Sequence, residues 1–146
     1  MIAFQAQHLK AMADAAKTAY PNECCGLIVG HSNDDSPGLT VTRIAPSPNV
    51  SQSSHRDSFE VDPKVRFDLM RAMENSNEDI IGHYHSHPDH PAKPSDTDLA
   101  MVYEPDLIWV ILSVDQSRVV ETCAYRVLTE PTAFSPIDIH VSETSP

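Results

Sequence analysis

Basic clusters are missing from this chain. Ten Lys/Arg residues face 21 Asp/Glu, for a formal charge of −11, and the few cations are scattered. Nucleic-acid binders normally present a basic face, and anionic membranes attract the same feature, so neither is an expected partner. No apolar run approaches the ~20 residues that span a bilayer. The N-terminal MIAFQAQHLKAMADAAK lacks the basic-then-apolar order of a secretory signal. Cysteine is scarce too: Cys24 and Cys25 are adjacent and Cys123 is distant. An odd count in such an arrangement is not a disulfide framework, and the absence of Cys–x–x–Cys excludes a structural zinc ribbon. Internal repeats, low-complexity tracts and linkers are also absent. The 146 residues suit one domain with a real core. The expected organisation is a single cytoplasmic domain over 1–141, with 142–146 as a flexible tail.

Periodicity supplies the elements. Leu9, Met12, Ala13 and Ala16 mark one face of a first helix, which ends near Pro21 and Asn22. CCGLIVG reads as a short buried strand closed by Gly30. HSNDDSPG (31–38) reads as a polar turn and GLTVTRIA (38–45) as a β-branched strand. A Ser-rich loop follows over 47–57. Asp62 as N-cap and Pro63 at the first helical position open a second helix over 63–75. DIIGHYH (79–85) reads as a strand. The continuous apolar run LIWVILSV (107–114) reads as a central strand covered on both faces. Strands are also expected over 118–128 and, at an edge, over 137–141. This alternation predicts an α/β or α+β domain, a mixed β-sheet flanked by helices.

The stretch GHYHSHPDHPAKPSDTD concentrates the chemistry. His83, His85 and His87 alternate, so on a strand they share one face. Pro88 stops that strand, and a strand end followed by a loop is where open α/β sheets bind ligands. A zinc site that does chemistry uses three protein ligands and leaves a position open. His85 and His87 supply two. Asp98, on the first turn of a helix opening at Ser95, is the best candidate for the third. Taken singly, each part has a plainer explanation. Histidine clusters occur as solvated surface, and Ser-x-x-Asp resembles a helix capping box with Asp in place of Glu. The combination at close spacing after a strand favours metal.

His85-x-His87, seven residues, then Ser95-x-x-Asp98 resembles the signature of the JAMM/MPN+ zinc metalloproteases. PNECCGLIVG resembles the family's Glu-bearing segment, with Glu23 as that Glu. GHYHSHP and FEVDP (59–63) are similar to its ligand strand and to its approach to the second helix. The resemblance covers most of the chain and implies a fold similar to the cytidine deaminase core. It implies hydrolysis of peptide or isopeptide bonds next to ubiquitin-like proteins, with Zn2+ held by His85, His87 and Asp98. The zinc-bound water, its pKa lowered to about 7, is the implied nucleophile. Glu23 is the implied general base, returning the proton to the leaving amine, and Ser95 the implied donor to the oxyanion.

His83 would close the metal if it bound as a fourth ligand, so it is expected to pack or support. His90 is expected in the spacer loop, Cys24 and Cys25 as core thiols, and Trp109 as core. The chain lacks room for the long insertions of eukaryotic deubiquitinases. It resembles the compact bacterial members that trim the Gly-Gly tail of a ubiquitin-like sulfur-carrier protein, some releasing cysteine. An extended tail of that kind suits addition at a sheet edge. The alternative is a non-catalytic MPN scaffold that binds ubiquitin-like partners, which the complete motif disfavours. A zinc deaminase is excluded by the missing Pro-Cys-x-x-Cys.

Overall fold

The computed structural model describes residues 1–33 and 37–142. The elements run β1 (Ile2–Gln5), α1 (Ala6–Ala19), β2 (Cys25–Ser32), β3 (Leu39–Ser47), α2 (Pro63–Ala72), β4 (Asp79–Pro88), α3 (Asp96–Ala100), β5 (Ile108–Val114), β6 (Val119–Thr129), β7 (Thr132–Ile137) and β8 (Ile139–Ser142). Part of the turn expected over 31–38, and the tail from 143 onward, lie outside the described residues. The strands form one mixed sheet in the order β7-β6-β5-β4-β2-β3-β1-β8. The expected architecture, a mixed sheet flanked by helices, is what forms.

Alternation along the central strands sorts their side chains between the two faces. On one face, Met12 and Ala16 of α1 pack with Ile28, Tyr84, Ile108, Val110 and Leu112. On the other, Leu69 and Met73 pack on Leu27 and Val29, while Trp109 and Ile111 pack with Ala92 and Tyr125. β5 is buried along its whole length, as its unbroken apolar run requires.

Several boundaries differ from the sequence reading, each for a local reason. Gly30 does not close β2. It lies inside the strand at a register shift against β3, where a Cβ would come within 2.0 Å of the Thr40 carbonyl oxygen, so only glycine fits. α2 is shorter than 63–75: it ends at Ala72, Met73 caps it, and Asn75 turns the chain with φ 67°. Its start is as expected, with the Asp62 carboxylate accepting from Lys64 N. β1 runs straight into α1 with no turn signal between them, and β7 follows β6 after the two-residue turn Glu130-Pro131. β1 forms because β3 and β8 pair with it in parallel, and β7 because it pairs with β6.

Candidate metal centre

β4 carries the histidines through the middle of the sheet, with β2 antiparallel on one side and β5 parallel on the other. The strand continues to Pro88, so His83, His85 and His87 do share a face. Beyond it, the seven-residue spacer is pinned at successive points. Asp89 adopts φ 61°, a left-handed conformation that Asp tolerates. Its N–H donates to Val114 O at 2.8 Å and its carboxylate accepts from the Tyr20 hydroxyl at 2.8 Å. Ser113 Oγ donates to His90 O and Tyr125 Oη to Ala92 O, each at 2.6 Å. This anchoring brings α3 back over the end of β4.

At the start of α3, Ser95 and Asp98 form a reciprocal cap. Asp98 N donates to Ser95 Oγ at 3.0 Å, and Ser95 N donates to Asp98 Oδ2 at 2.9 Å. The cap holds the Asp98 carboxylate toward the histidines. His85 Nε2 lies 3.2 Å from Asp98 Oδ1, His87 Nε2 lies 3.1 Å from Asp98 Oδ2, and the two Nε2 atoms are 3.0 Å apart. All three residues are buried.

This arrangement fits a divalent metal. Ligand atoms about 2.1 Å from a tetrahedral ion sit about 3.4 Å from one another; the His85–His87 separation, and that of each histidine from one of the two Asp98 oxygens, fall a few tenths short of that. His87 Nδ1 lies 3.0 Å from Pro91 O, which takes its proton and leaves Nε2 with a free lone pair. Two ring nitrogens 3.0 Å apart share at most one hydrogen between them, so the site has converging lone pairs and an anionic carboxylate. Burial opposes ionisation of Asp98, but the His85 and His87 rings against it outweigh burial in the metal-free site and hold the carboxyl far below its usual range. Burial pulls His85 down; at His87 burial also pulls down, but Asp98, Pro91 and Glu23 prevail and raise it. Among the described residues, His85, His87 and Asp98 are the group of three that can hold an ion.

Glu23 precedes β2. Cys25 pairs with His85, so the same register places Glu23 beside His87. Its position is fixed by backbone bonds: Glu23 N donates to His55 O, and Cys24 N donates to the buried Ser86 hydroxyl at 2.8 Å. Glu23 is 5 % exposed and its buried Oε1 has no hydrogen-bond partner among the described residues. Burial, opposed by His87 and helped by Asp98 and Asp57, pushes its carboxyl up to about 8. A buried glutamate with that value exchanges a proton near neutral pH.

The remaining sequence candidates separate. Ser95 is exposed, and its hydroxyl accepts in the cap, which leaves its own hydrogen free to donate. His83 points to the same face but stays outside the triad: its ring packs edge-on to Trp109 at 4.4 Å, and burial lowers its pKa to about 3. His90 is exposed in the spacer. The Cys25 thiol, pushed by burial up to about 12, stays protonated. Phe59 was not singled out, yet it stacks on the His85 ring at 4.2 Å and 17°. Nothing in its local pattern signals this contact with a strand distant in sequence. Ser86, which in the sequence only separates His85 from His87, ties Glu23's neighbour Cys24 to β4 through its hydroxyl.

Known proteins resemble this chain in sequence and fold. Residues 5–127 match the family described as prokaryotic homologs of the JAB domain. A desampylase from Haloferax volcanii is 36% identical over 95 residues, which span 65% of this chain and 65% of that protein. A CysO-cysteine peptidase from Mycobacterium tuberculosis is 28% identical over 139 residues, 95% of this chain and 91% of that one. The solution structure of a protein from Desulfitobacterium hafniense superposes with a TM-score of 0.83 at 27% identity, covering 99% of this chain and 94% of that one. A JAB1/MPN domain protein from Archaeoglobus fulgidus shares the fold, with a TM-score of 0.58 at 21% identity over 97% of this chain and 98% of that one. With residues 5–127 matched and the fold shared along its length, the chain belongs to the prokaryotic JAB-domain family.

Proposed function

We propose that this protein is a zinc metallopeptidase that cleaves the bond after the Gly-Gly terminus of a ubiquitin-like sulfur-carrier protein, releasing an amino acid such as cysteine. The observation that carries the reading is the buried Glu23 carboxyl, whose Oε1 has no hydrogen-bond partner among the described residues, beside a preformed His85–His87–Asp98 triad. The names of the desampylase and the CysO-cysteine peptidase support the carrier class. The catalytic unit spans 1–141. Its three free thiols, two of them buried, suit the reducing cytoplasm.

Zinc held by the triad would supply Lewis acidity, lowering the pKa of water toward about 7 and polarising a carbonyl. The chain's own groups do the rest. His85, His87 and Asp98 fix the position of the ion, with Pro91 O and Phe59 orienting the two rings. Glu23 accepts the proton of the attacking water and passes it to the leaving amine. Its raised pKa suits both halves of that transfer. Ser95 donates its hydroxyl hydrogen to the oxygen that gains charge as the carbonyl carbon becomes tetrahedral. β4 is an interior strand, so a tail reaching the centre crosses the sheet face rather than extending an edge. Glycines let the scissile carbonyl approach closely.

The test is a carrier protein extended by one residue after Gly-Gly, followed by intact mass. The parent protein removes the extra residue and Glu23→Gln does not. A parent that binds the carrier and cleaves nothing identifies the scaffold reading instead. Equal rates for parent and variant remove Glu23 from the mechanism.

A further inference from the structure

A second feature of the same face bears on which tails fit. On paired antiparallel strands, directly opposed residues share a face. His83 faces Leu27 and His85 faces Cys25, and the register carries on to His87 beside Glu23. The metal ligands therefore have the proton carrier at one end and the His83–Leu27 pair at the other. At the His83 end lies a cleft of about 270 Å³, walled by Leu27, Phe59, Met101, Leu107 and Trp109. His83 forms its floor, and no group among the described residues satisfies its buried Nδ1. Arg66 of α2 and Glu104 after α3 meet in a two-pronged ion pair at the mouth, at 2.5 and 2.7 Å.

The order along the face assigns the two sides of the scissile bond. A separate cleft, lined by polar groups including Asp14, Asn22, Asn49 and His55, opens beside Glu23. The leaving amine must reach Glu23 for its proton, so the leaving residue belongs there. The carrier's tail then enters from the His83 end. Successive residues of an extended chain advance about 3.4 Å and alternate sides. His83 and His85 are two positions apart, about 6.8 Å by the same rule. A tail whose last carbonyl sits at the triad thus places the residue just before Gly-Gly over His83.

We propose that this cleft is a specificity pocket for the side chain immediately preceding Gly-Gly, and that it selects a leucine-sized or aromatic apolar group. Apolar walls favour such a side chain, and a charged one would lose its water while the ions at the mouth, Arg66 and Glu104, are already paired with each other. Glycine leaves the cleft empty, so the pocket discriminates among carriers that share the Gly-Gly end. The proposal rests on the peptidase reading above and narrows its substrate class.

The experiment compares three carriers with Leu, Ala or Asp before Gly-Gly, each extended by one residue. The expected kcat/KM for Leu exceeds that for Ala by about 10- to 100-fold, the discrimination an apolar pocket reaches for a few methylenes. Asp falls below Ala. Met101→Trp and Val61→Trp, which fill the cleft from different elements, each bring the Leu/Ala ratio close to one. Trp109 is the sole tryptophan and lines the cleft, so it reports occupancy without turnover. In Glu23→Gln, a peptide ending Leu-Gly-Gly shifts its emission and one ending Ala-Gly-Gly does not. Equal cleavage of the Leu and Ala carriers, with no difference in Trp109 emission, overturns the pocket and leaves the peptidase reading standing. A Leu-selective emission change without cleavage of any carrier overturns the peptidase reading and leaves the pocket standing. A Leu/Ala ratio that survives both filling substitutions places the selectivity elsewhere.

Discussion

Glu23→Gln should stabilise the metal-free protein, and the gain should depend on pH in a defined way. In the unfolded chain the Glu23 carboxyl ionises at its ordinary value of 4.5; in the fold, burial raises it to about 8. Between those values the native state holds a proton that the unfolded chain has released. Stability must then fall as pH rises through that window, and level off above it. Each pH unit inside the window corresponds to about 1.4 kcal/mol. From pH 4.5 to 7.5 the accumulated cost is about 3 kcal/mol, a large fraction of a small domain's stability. Gln keeps the size of the side chain and cannot titrate, so the variant escapes that cost. Urea denaturation of chelator-treated parent and variant, repeated at intervals from pH 4.5 to 8, measures the difference directly. Asp98 and the histidines titrate in both proteins, so the difference isolates Glu23 together with its charge coupling to His87 and Asp98. The variant is expected to gain about 3 kcal/mol relative to the parent over that range while losing hydrolysis. Parallel stability curves would show that Glu23 ionises freely in the fold, and the proton-transfer argument would lose its physical basis.

Other consequences follow from the same geometry. Asp98→Ala removes a ligand and half of the α3 cap. Metal content measured by mass spectrometry should drop from about one ion per chain to background, whereas His90→Ala leaves it unchanged. Acid should release the metal: His87 is raised above its ordinary 6.5 and binds only when neutral, so affinity falls as pH drops through that raised value. A fluorescent zinc indicator titrated between pH 8 and 5 reads this, and flat affinity would refute it. Tyr125→Phe frees the buried Ala92 carbonyl that helps pin the spacer, at a cost of about 1–2 kcal/mol by urea denaturation.

Much of the site is legible in the sequence because it is local. His85 and His87 are two apart on a strand, and Ser95 and Asp98 are three apart at a helix start; strand and helix periods put each pair on one face. Glu23 entered only through the family resemblance. Its partner is His87 across a strand pairing, and one sequence shows no pairing. Phe59 and Ser86 were passed over for the same reason, since their roles lie in contacts with residues distant along the chain. The fold class follows from apolar periodicity. β1 and β7 escape it because their pairing partners, rather than their own composition, make them strands. Gly30 misled because glycine marks both strand ends and close backbone approach, and here the Thr40 carbonyl decides.

His83 separates the two ways of reading the histidine row, as a four-ligand closed site or as a three-ligand site with an open position. Diffraction from crystals of the zinc-loaded protein, collected on both sides of the zinc absorption edge, decides between them. The account predicts one anomalous peak within bonding distance of His85 Nε2, His87 Nε2 and an Asp98 oxygen, with His83 still packed on Trp109. No peak there, or a peak that draws His83 into the coordination sphere, would contradict it.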